Sequence, residues 1–142
     1  ICFPASEAGT RESFAARLKV FPRHFLLLED EGRLIGFVNG MVTDDRTISD
    51  VMFEQAELHK EDGKWKSVGG LDVLPEQAQG YAGQLMRALI GHSREDGRCG
   101  CILTCKEHLL PYYTRFGFRN LGVSLSQHGG AVWYDMILEF SR

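Results

Sequence analysis

Two groups of residues in this chain have the types and the spacing to do chemistry. The first is Gln77-Ala78-Gln79-Gly80-Tyr81-Ala82-Gly83, which follows the apolar run Leu71-Asp72-Val73-Leu74-Pro75. A helical pattern then begins, with apolar residues at Ala82, Leu85, Met86, Leu89 and Ile90 at the spacing of one helix face. Strand, small-residue loop and helix together leave unpaired backbone N–H groups aimed at one spot, where the helix dipole adds partial positive charge. Such a spot holds a phosphate or pyrophosphate without any charged side chain, and Gly80, Ala82 and Gly83 leave room for it. A plain strand-to-helix loop with chance glycines would look the same, because short glycine-rich patterns are weakly specific. The second group is Pro111-Tyr112-Tyr113-Thr114-Arg115-Phe116-Gly117-Phe118. A phenol that titrates at about 10 stays protonated at neutral pH and can donate that proton to a leaving group. A tyrosine packed in the core with its hydroxyl satisfied is the competing reading.

Composition narrows what these groups can serve. At 142 residues, 44% hydrophobic and 25% charged, the chain fits one domain over 1–142 with one core. A net charge of −3 with no basic stripe argues against nucleic acid as the main partner, since backbone phosphates require clustered Lys and Arg. A mildly acidic surface suits a cationic small substrate. No apolar run approaches the roughly 18 residues that span a bilayer, and no signal peptide is visible. The cysteines stand at positions 2, 99, 101 and 105. Their spacing matches no zinc or redox pair, so no metal is expected, and buried reduced thiols in a cytoplasmic protein are the expectation.

The elements that must position these residues read in order as follows. A helix covers 5–20 and stops at Pro22. Strands over 24–29 and 34–42 form a hairpin, and Gly36 and Gly40 in the second suggest a bulge or a close backbone contact. Residues 43–64 are acidic, and Met52, Phe53, Ala56 and Leu58 could make a short helix; a long polar connection of this kind is either a solvated loop or part of a binding wall. A strand over 65–74 leads to the small-residue loop, and a helix from Tyr81 to about Asp96 ends at Gly97 as its C-cap. A continuous apolar strand over 99–105 completes a β-α-β unit, so these two strands should be parallel. A short helix over 109–116, with Pro111 in its first turn, and strands over 118–126 and 131–140 close the chain.

The stretch Gln77-x-x-Gly80-x-Ala82 resembles the Gln/Arg-x-x-Gly-x-Gly/Ala signature of the GCN5-related N-acetyltransferases (GNAT), with one residue fewer after the proline than usual. Tyr113-x-x-x-Gly117-Phe118 resembles that family's second motif, at the family's distance from the first. The runs Leu103 to Tyr113 and Glu57 to Gly63 are similar to the arylalkylamine (serotonin) N-acetyltransferase branch. The resemblance implies an α/β GNAT fold: a mixed, mostly antiparallel sheet whose central parallel pair splays to admit acetyl-CoA, with helices on both faces. The family's first strand would precede Ile1. The resemblance also implies acetyl-CoA as co-substrate, held by the amides of Ala78, Gln79, Gly80, Tyr81, Ala82 and Gly83. Oxyanion donors would lie on the strand end Leu71, Asp72 and Val73. Thr104 would line the opposite wall, and Tyr113 would be the catalytic acid beside the sulfur.

That branch carries two histidines on the strand before the loop, and the matching positions here are Ser67 and Gly69, so no imidazole relay is carried over. Phe53, Glu54, His59, Ser67, Gly69 and His108 remain as candidate substrate residues, with Glu54, Glu57, His59 and His108 as substitute bases. Phe53 and Trp65 suit an aromatic or polyamine-like amine. The reading is acetyl transfer to a primary amine of a small molecule by direct attack in a ternary complex, with neither nucleic acid nor membrane as partner. A homodimer is compatible with it. The alternatives are a non-catalytic acetyl-CoA sensor and a nucleotide-binding α/β domain. The last lacks both a Walker lysine after Gly83 and an acidic ribose-binding position.

Overall fold

The computed structural model describes residues 25–30, 33–48, 58–73, 78–125 and 130–141. The helix expected over 5–20, most of the one expected around Met52 to Leu58, and the residues Phe53, Glu54 and Glu57 lie outside the described residues.

Strand β1 (Phe25–Asp30) turns back into β2 (Arg33–Asn39) as an antiparallel hairpin, with a bulge where Leu28 pairs Gly36 and Glu29 pairs Leu34. The stretch 34–42 was expected as one strand. It is two, because the chain breaks after Asn39 and resumes as β3 (Val42–Thr43) in a different sheet. The stretch 65–74 divides in the same way, into β4 (Trp65–Ser67) and β5 (Gly70–Val73). The result is a three-stranded sheet in the order β1-β2-β5 and a five-stranded sheet ordered β3-β4-β6-β8-β7.

Helix α1 (Ala78–Glu95) links β5 to β6 (Gly100–Cys105), and β4 and β6 are parallel as expected, with Trp65 opposite Gly100 and Ser67 opposite Ile102. A 3-10 turn (Glu107–Leu109) and α2 (Leu110–Thr114) follow, then β7 (Arg119–Val123) and β8 (Tyr134–Glu139), which pair antiparallel.

Helix α1 forms because its apolar stripe has somewhere to go. Leu85, Met86, Leu89 and Ile90 are buried against Val38, Cys101, Leu103, Cys105, Phe118 and Met136. Full burial of side chains of this size contributes about 1.5–3 kcal/mol each. The helix ends in a Schellman motif: Arg98 N–H donates to Ser93 O, Gly97 N–H donates to Arg94 O, and Gly97 takes φ 78°. His92 and Arg94 lie in the last turn, where positive charge complements the dipole, and no acidic residue occupies the first turn. Alternate residues on the sheet face the other way, so Met41, Ile48, Trp65, Ile102 and Ile137 make a second core on the opposite face. Among the described residues, no helix is long and apolar enough to cross a membrane.

Candidate active site at the strand crossing

The two sheets meet where the chain crosses between them twice, at residues 40–41 and 68–69. The crossings lie against each other and are tied by buried hydrogen bonds. Ser67 N–H donates to Met41 O at 2.9 Å, Met41 N–H donates to Ser67 Oγ at 3.0 Å, and that hydroxyl donates back to Met41 O at 3.1 Å. Gly69 N–H donates to Asn39 O at 2.8 Å, and Lys66 Nζ donates to Gly40 O at 3.1 Å. A Cβ on Gly40 would sit 1.6 Å from Ser67 O. The close backbone contact expected at Gly40 is therefore what lets the strands cross, and only glycine fits. Burial lowers the Lys66 ammonium to about 7, so the fold tolerates this amine under its core close to neutral.

Above the crossing a gap opens. Val68 N–H still bonds Ile102 O at 2.9 Å, and after that β5 leaves with β2 while β6 continues with β8. This is the splayed parallel pair that the sequence led us to expect. Among the described residues, Leu71, Asp72 and Val73 pair with Val38, Phe37 and Gly36 along one edge only, since β5 ends its sheet there. Successive residues of a strand turn their amides to opposite edges, so part of β5 offers unpaired N–H groups to the gap. Thr104, half-buried on β6, lies beyond the point of separation.

Helix α1 starts at Ala78, three residues ahead of the expected Tyr81. Ala and Gln propagate helix well, so residues expected in a loop form the first turn. The amides without intrahelical acceptors consequently begin at Ala78 and Gln79 rather than at Tyr81. Gly80 takes φ 86° inside this turn, a left-handed value costly for any residue with a Cβ, and a Cβ there would meet nothing within 4 Å. Among the described residues the space beside Gly80 is thus open, as a phosphate-binding turn requires. A Cβ on Gly83 would lie 3.4 Å from a guanidinium nitrogen of Arg87. Arg87 thus stands one turn beyond Gly83 on the same flank of α1. Tyr81, Ala82 and Val68 all pack against the core under α1.

Tyr113 packs against that same core from α2, with its ring 6.2 Å from the buried Phe118 ring in an edge contact. The motif has a physical reason. Gly117, at φ 101°, reverses the chain after α2, and Phe118 N–H then donates to Tyr113 O at 3.3 Å. Tyr112 lies edge-on to both Tyr113 and Phe116, and its hydroxyl is pushed up by burial and drawn down by Arg87. It packs, as expected.

The remaining described candidates are held as follows. Ser67 and Gly69 are spent on the crossing itself. His59 lies along the outer edge of β3, where Nδ1 accepts Val42 N–H at 2.9 Å and Nε2 meets Glu61 Oε1 at 3.0 Å. The first bond makes Nε2–H the donor of the second. Glu61 also takes Arg98, and Asp44 pairs with Lys60, so these acids of the 43–62 segment brace the surface. His108 is exposed on the 3-10 turn. Trp65 belongs to the second core, with Arg46 5.5 Å above its ring.

The His59 ring carries a consequence for stability. Desolvation lowers its pKa from the ordinary 6.5, and the Glu61 hydrogen bond only partly opposes this. The unfolded chain therefore binds more protons just below pH 6.5, and stability falls as pH drops through that window. A thermal denaturation series from pH 7.5 to 5 should show a falling midpoint, and His59→Gln should flatten that fall.

Residues 2–118 match the model of the acetyltransferase (GNAT) family. Among solved structures, the loading GNATL domain of CurA from Lyngbya majuscula is similar at TM-score 0.80 and 13% identity, covering 97% of this chain and 87% of that one. The ribosomal-protein-S18-alanine N-acetyltransferase from Escherichia coli is similar at TM-score 0.68 and 17% identity, covering 99% and 81%. A GNAT family acetyltransferase from Brucella melitensis, solved in complex with acetyl-CoA, is similar at TM-score 0.57 and 21% identity, covering 95% and 73%. At these identities the likeness is one of fold.

Proposed function

Because the chain belongs to the acetyltransferase (GNAT) family, whose reaction is acetyl-CoA-dependent acyl transfer, we propose that it acetylates the primary amine of a small molecule by direct attack, with both substrates bound. The observation that carries this reading is the gap above the crossing. Among the described residues β5 leaves one edge unpaired there, α1 packs against both β5 and β6, and Tyr113 packs against the same core. The diphosphate would rest on the amides from Ala78 to Gly83, with the pantetheine arm along β5. The β5 amides would then stabilise the oxyanion as nitrogen attacks the thioester carbonyl, a preorganised contribution that grows in a site closed to water. Tyr113 would give its proton to the departing thiolate.

Direct attack is favoured over an acyl-enzyme because the two buried thiols of β6, Cys101 and Cys105, are poor nucleophiles. Burial pushes Cys101 and Cys105 up to about 11, so neither forms appreciable thiolate at neutral pH. These reduced thiols also suit the cytoplasm. The nearest branch in motif terms remains the arylalkylamine one, without its histidine pair.

The test is a panel of primary amines incubated with acetyl-CoA while CoA thiol release is followed. Turnover with at least one class supports the proposal. One observation favours a second reading: Ser67 and Gly69 stand where the arylalkylamine branch carries its histidine pair, and both are held in the crossing. Tight acetyl-CoA binding without thiol release across the panel would make the chain an acetyl-CoA sensor.

A further inference from the structure

The acceptor must be received on some face of the gap, and behind its β6 wall one carboxylate oxygen has no hydrogen-bond partner among the described residues. Asp135 lies on β8, directly opposite Thr104 of β6 on one side and Gly122 of β7 on the other. Directly opposed residues of an antiparallel pair project to the same face, with Cβ atoms about 4.5–5.5 Å apart. The alternation of buried residues identifies that face. Leu103 and Met136, one step along each strand, enter the core under α1; Ile102 and Ile137, the next step, enter the opposite core. Thr104 and Asp135 therefore share the face away from α1.

Asp135 is on an interior strand, and its Oδ1 is buried with no hydrogen-bond partner among the described residues. The carboxyl has one described hydrogen bond, from Ser124. Arg46 and Arg119 both bond Glu139, and Lys106 lies 6.0 Å over the Trp133 ring. A buried carboxylate oxygen left unpaired is expensive, so this oxygen calls for a donor, from a ligand or from water.

We propose that Asp135 is the acceptor-recognition carboxylate, receiving the ammonium of the incoming amine beside Thr104 on the face away from α1. This rests on the amine-acetylation reading given above, and it narrows the acceptor to amines that are protonated in water. Trp133, buried just ahead of β8, is two positions from Asp135 in the chain, so an apolar or aromatic body attached to the ammonium would have a ring nearby to follow. Tyr113 packs on the α1 side, and the two groups would then work from opposite sides of the gap. The ammonium gives one proton to Asp135. The neutral nitrogen forms the C–N bond, the C–S bond breaks, and the thiolate takes the Tyr113 proton. The second nitrogen proton restores Tyr113, and Asp135 releases its own to water. Burial raises the Asp135 pKa while Ser124 opposes the rise, a direction that suits a carboxyl which must accept a proton.

The test compares wild type, Asp135→Asn and Asp135→Glu on protonated amines (2-phenylethylamine, spermidine) and on hydroxylamine, which is neutral at pH 7.5. Asp135→Asn should raise KM for the protonated amines by roughly 10- to 100-fold, the value of a charge-assisted hydrogen bond. Its selectivity for them over hydroxylamine should fall at least about tenfold by the same reasoning, with acetyl-CoA affinity retained as the check on folding. Asp135→Glu keeps the charge and should recover part of that selectivity. Equal loss across all acceptors, an unchanged amine KM, or no difference between the Glu and Asn variants would overturn the assignment while leaving amine acetylation standing. A wild-type chain that binds acetyl-CoA but acetylates none of these acceptors would overturn both.

Discussion

Gly80→Val is expected to weaken acetyl-CoA binding by about 100-fold or more, the loss of two charge-assisted backbone hydrogen bonds. Two costs add at this position. The residue sits at φ 86°, where a β-branched side chain is strained by about 1–3 kcal/mol. If the backbone instead relaxes to a right-handed value, the first-turn amides at Ala78 and Gln79 turn away from the diphosphate they would hold. If it does not relax, the isopropyl group fills the space that is open beside Gly80. Either outcome removes the site. Gly91, in the middle of the same helix, is the control. A Cβ there also meets nothing within 4 Å, and its φ is not left-handed. Gly91→Ala should stabilise the helix by about 0.5–1 kcal/mol and leave acetyl-CoA affinity unchanged. Isothermal titration with acetyl-CoA, beside a melting curve for each variant, measures both. Normal affinity in Gly80→Val would move the cofactor away from the mouth of α1.

Tyr113→Phe should lower kcat by about 100-fold or more, the usual contribution of a positioned general acid, with acetyl-CoA affinity nearly unchanged. The ring is half-buried and meets Phe118 edge-on, and phenylalanine keeps that packing, so a fall in kcat cannot be blamed on the fold. Single-turnover rates measured at saturating acetyl-CoA isolate the chemical step. The adjacent Tyr112→Phe should have a small effect on kcat, since Tyr112 is held among Tyr113 and Phe116. If Tyr112→Phe were the slower enzyme, the roles of the two phenols would be exchanged.

The two motifs were legible in the sequence because each rests on local chemistry. Gly80 and Gly117 mark left-handed turns, and the apolar spacing of α1 declares the face that it buries. The parallel pairing of β4 with β6 was also legible, because a strand, a helix and a strand close in one hand. The crossing was not. Stretches 34–42 and 65–74 each have one continuous strand-like pattern, and they divide only because their backbones meet at Gly40 and Ser67, 27 positions apart in the chain. The glycine at 40 hinted at a close contact without naming its partner. His59 looked like a free base because sequence shows its ring and not the Val42 amide that occupies it. Asp135 went unnoticed for the opposite reason. It stands in an ordinary edge-to-centre strand pattern, and its interest comes from register, which places it opposite Thr104, and from an oxygen left without a donor among the described residues.

The central claim is that acetyl-CoA enters between β5 and β6 with its diphosphate at the mouth of α1. Backbone amide chemical shifts recorded as acetyl-CoA is added test this directly. The account predicts that the largest changes fall on residues 70–73 and 78–83. Changes concentrated on the β7–β8 hairpin or along β3, with those two stretches undisturbed, would contradict it.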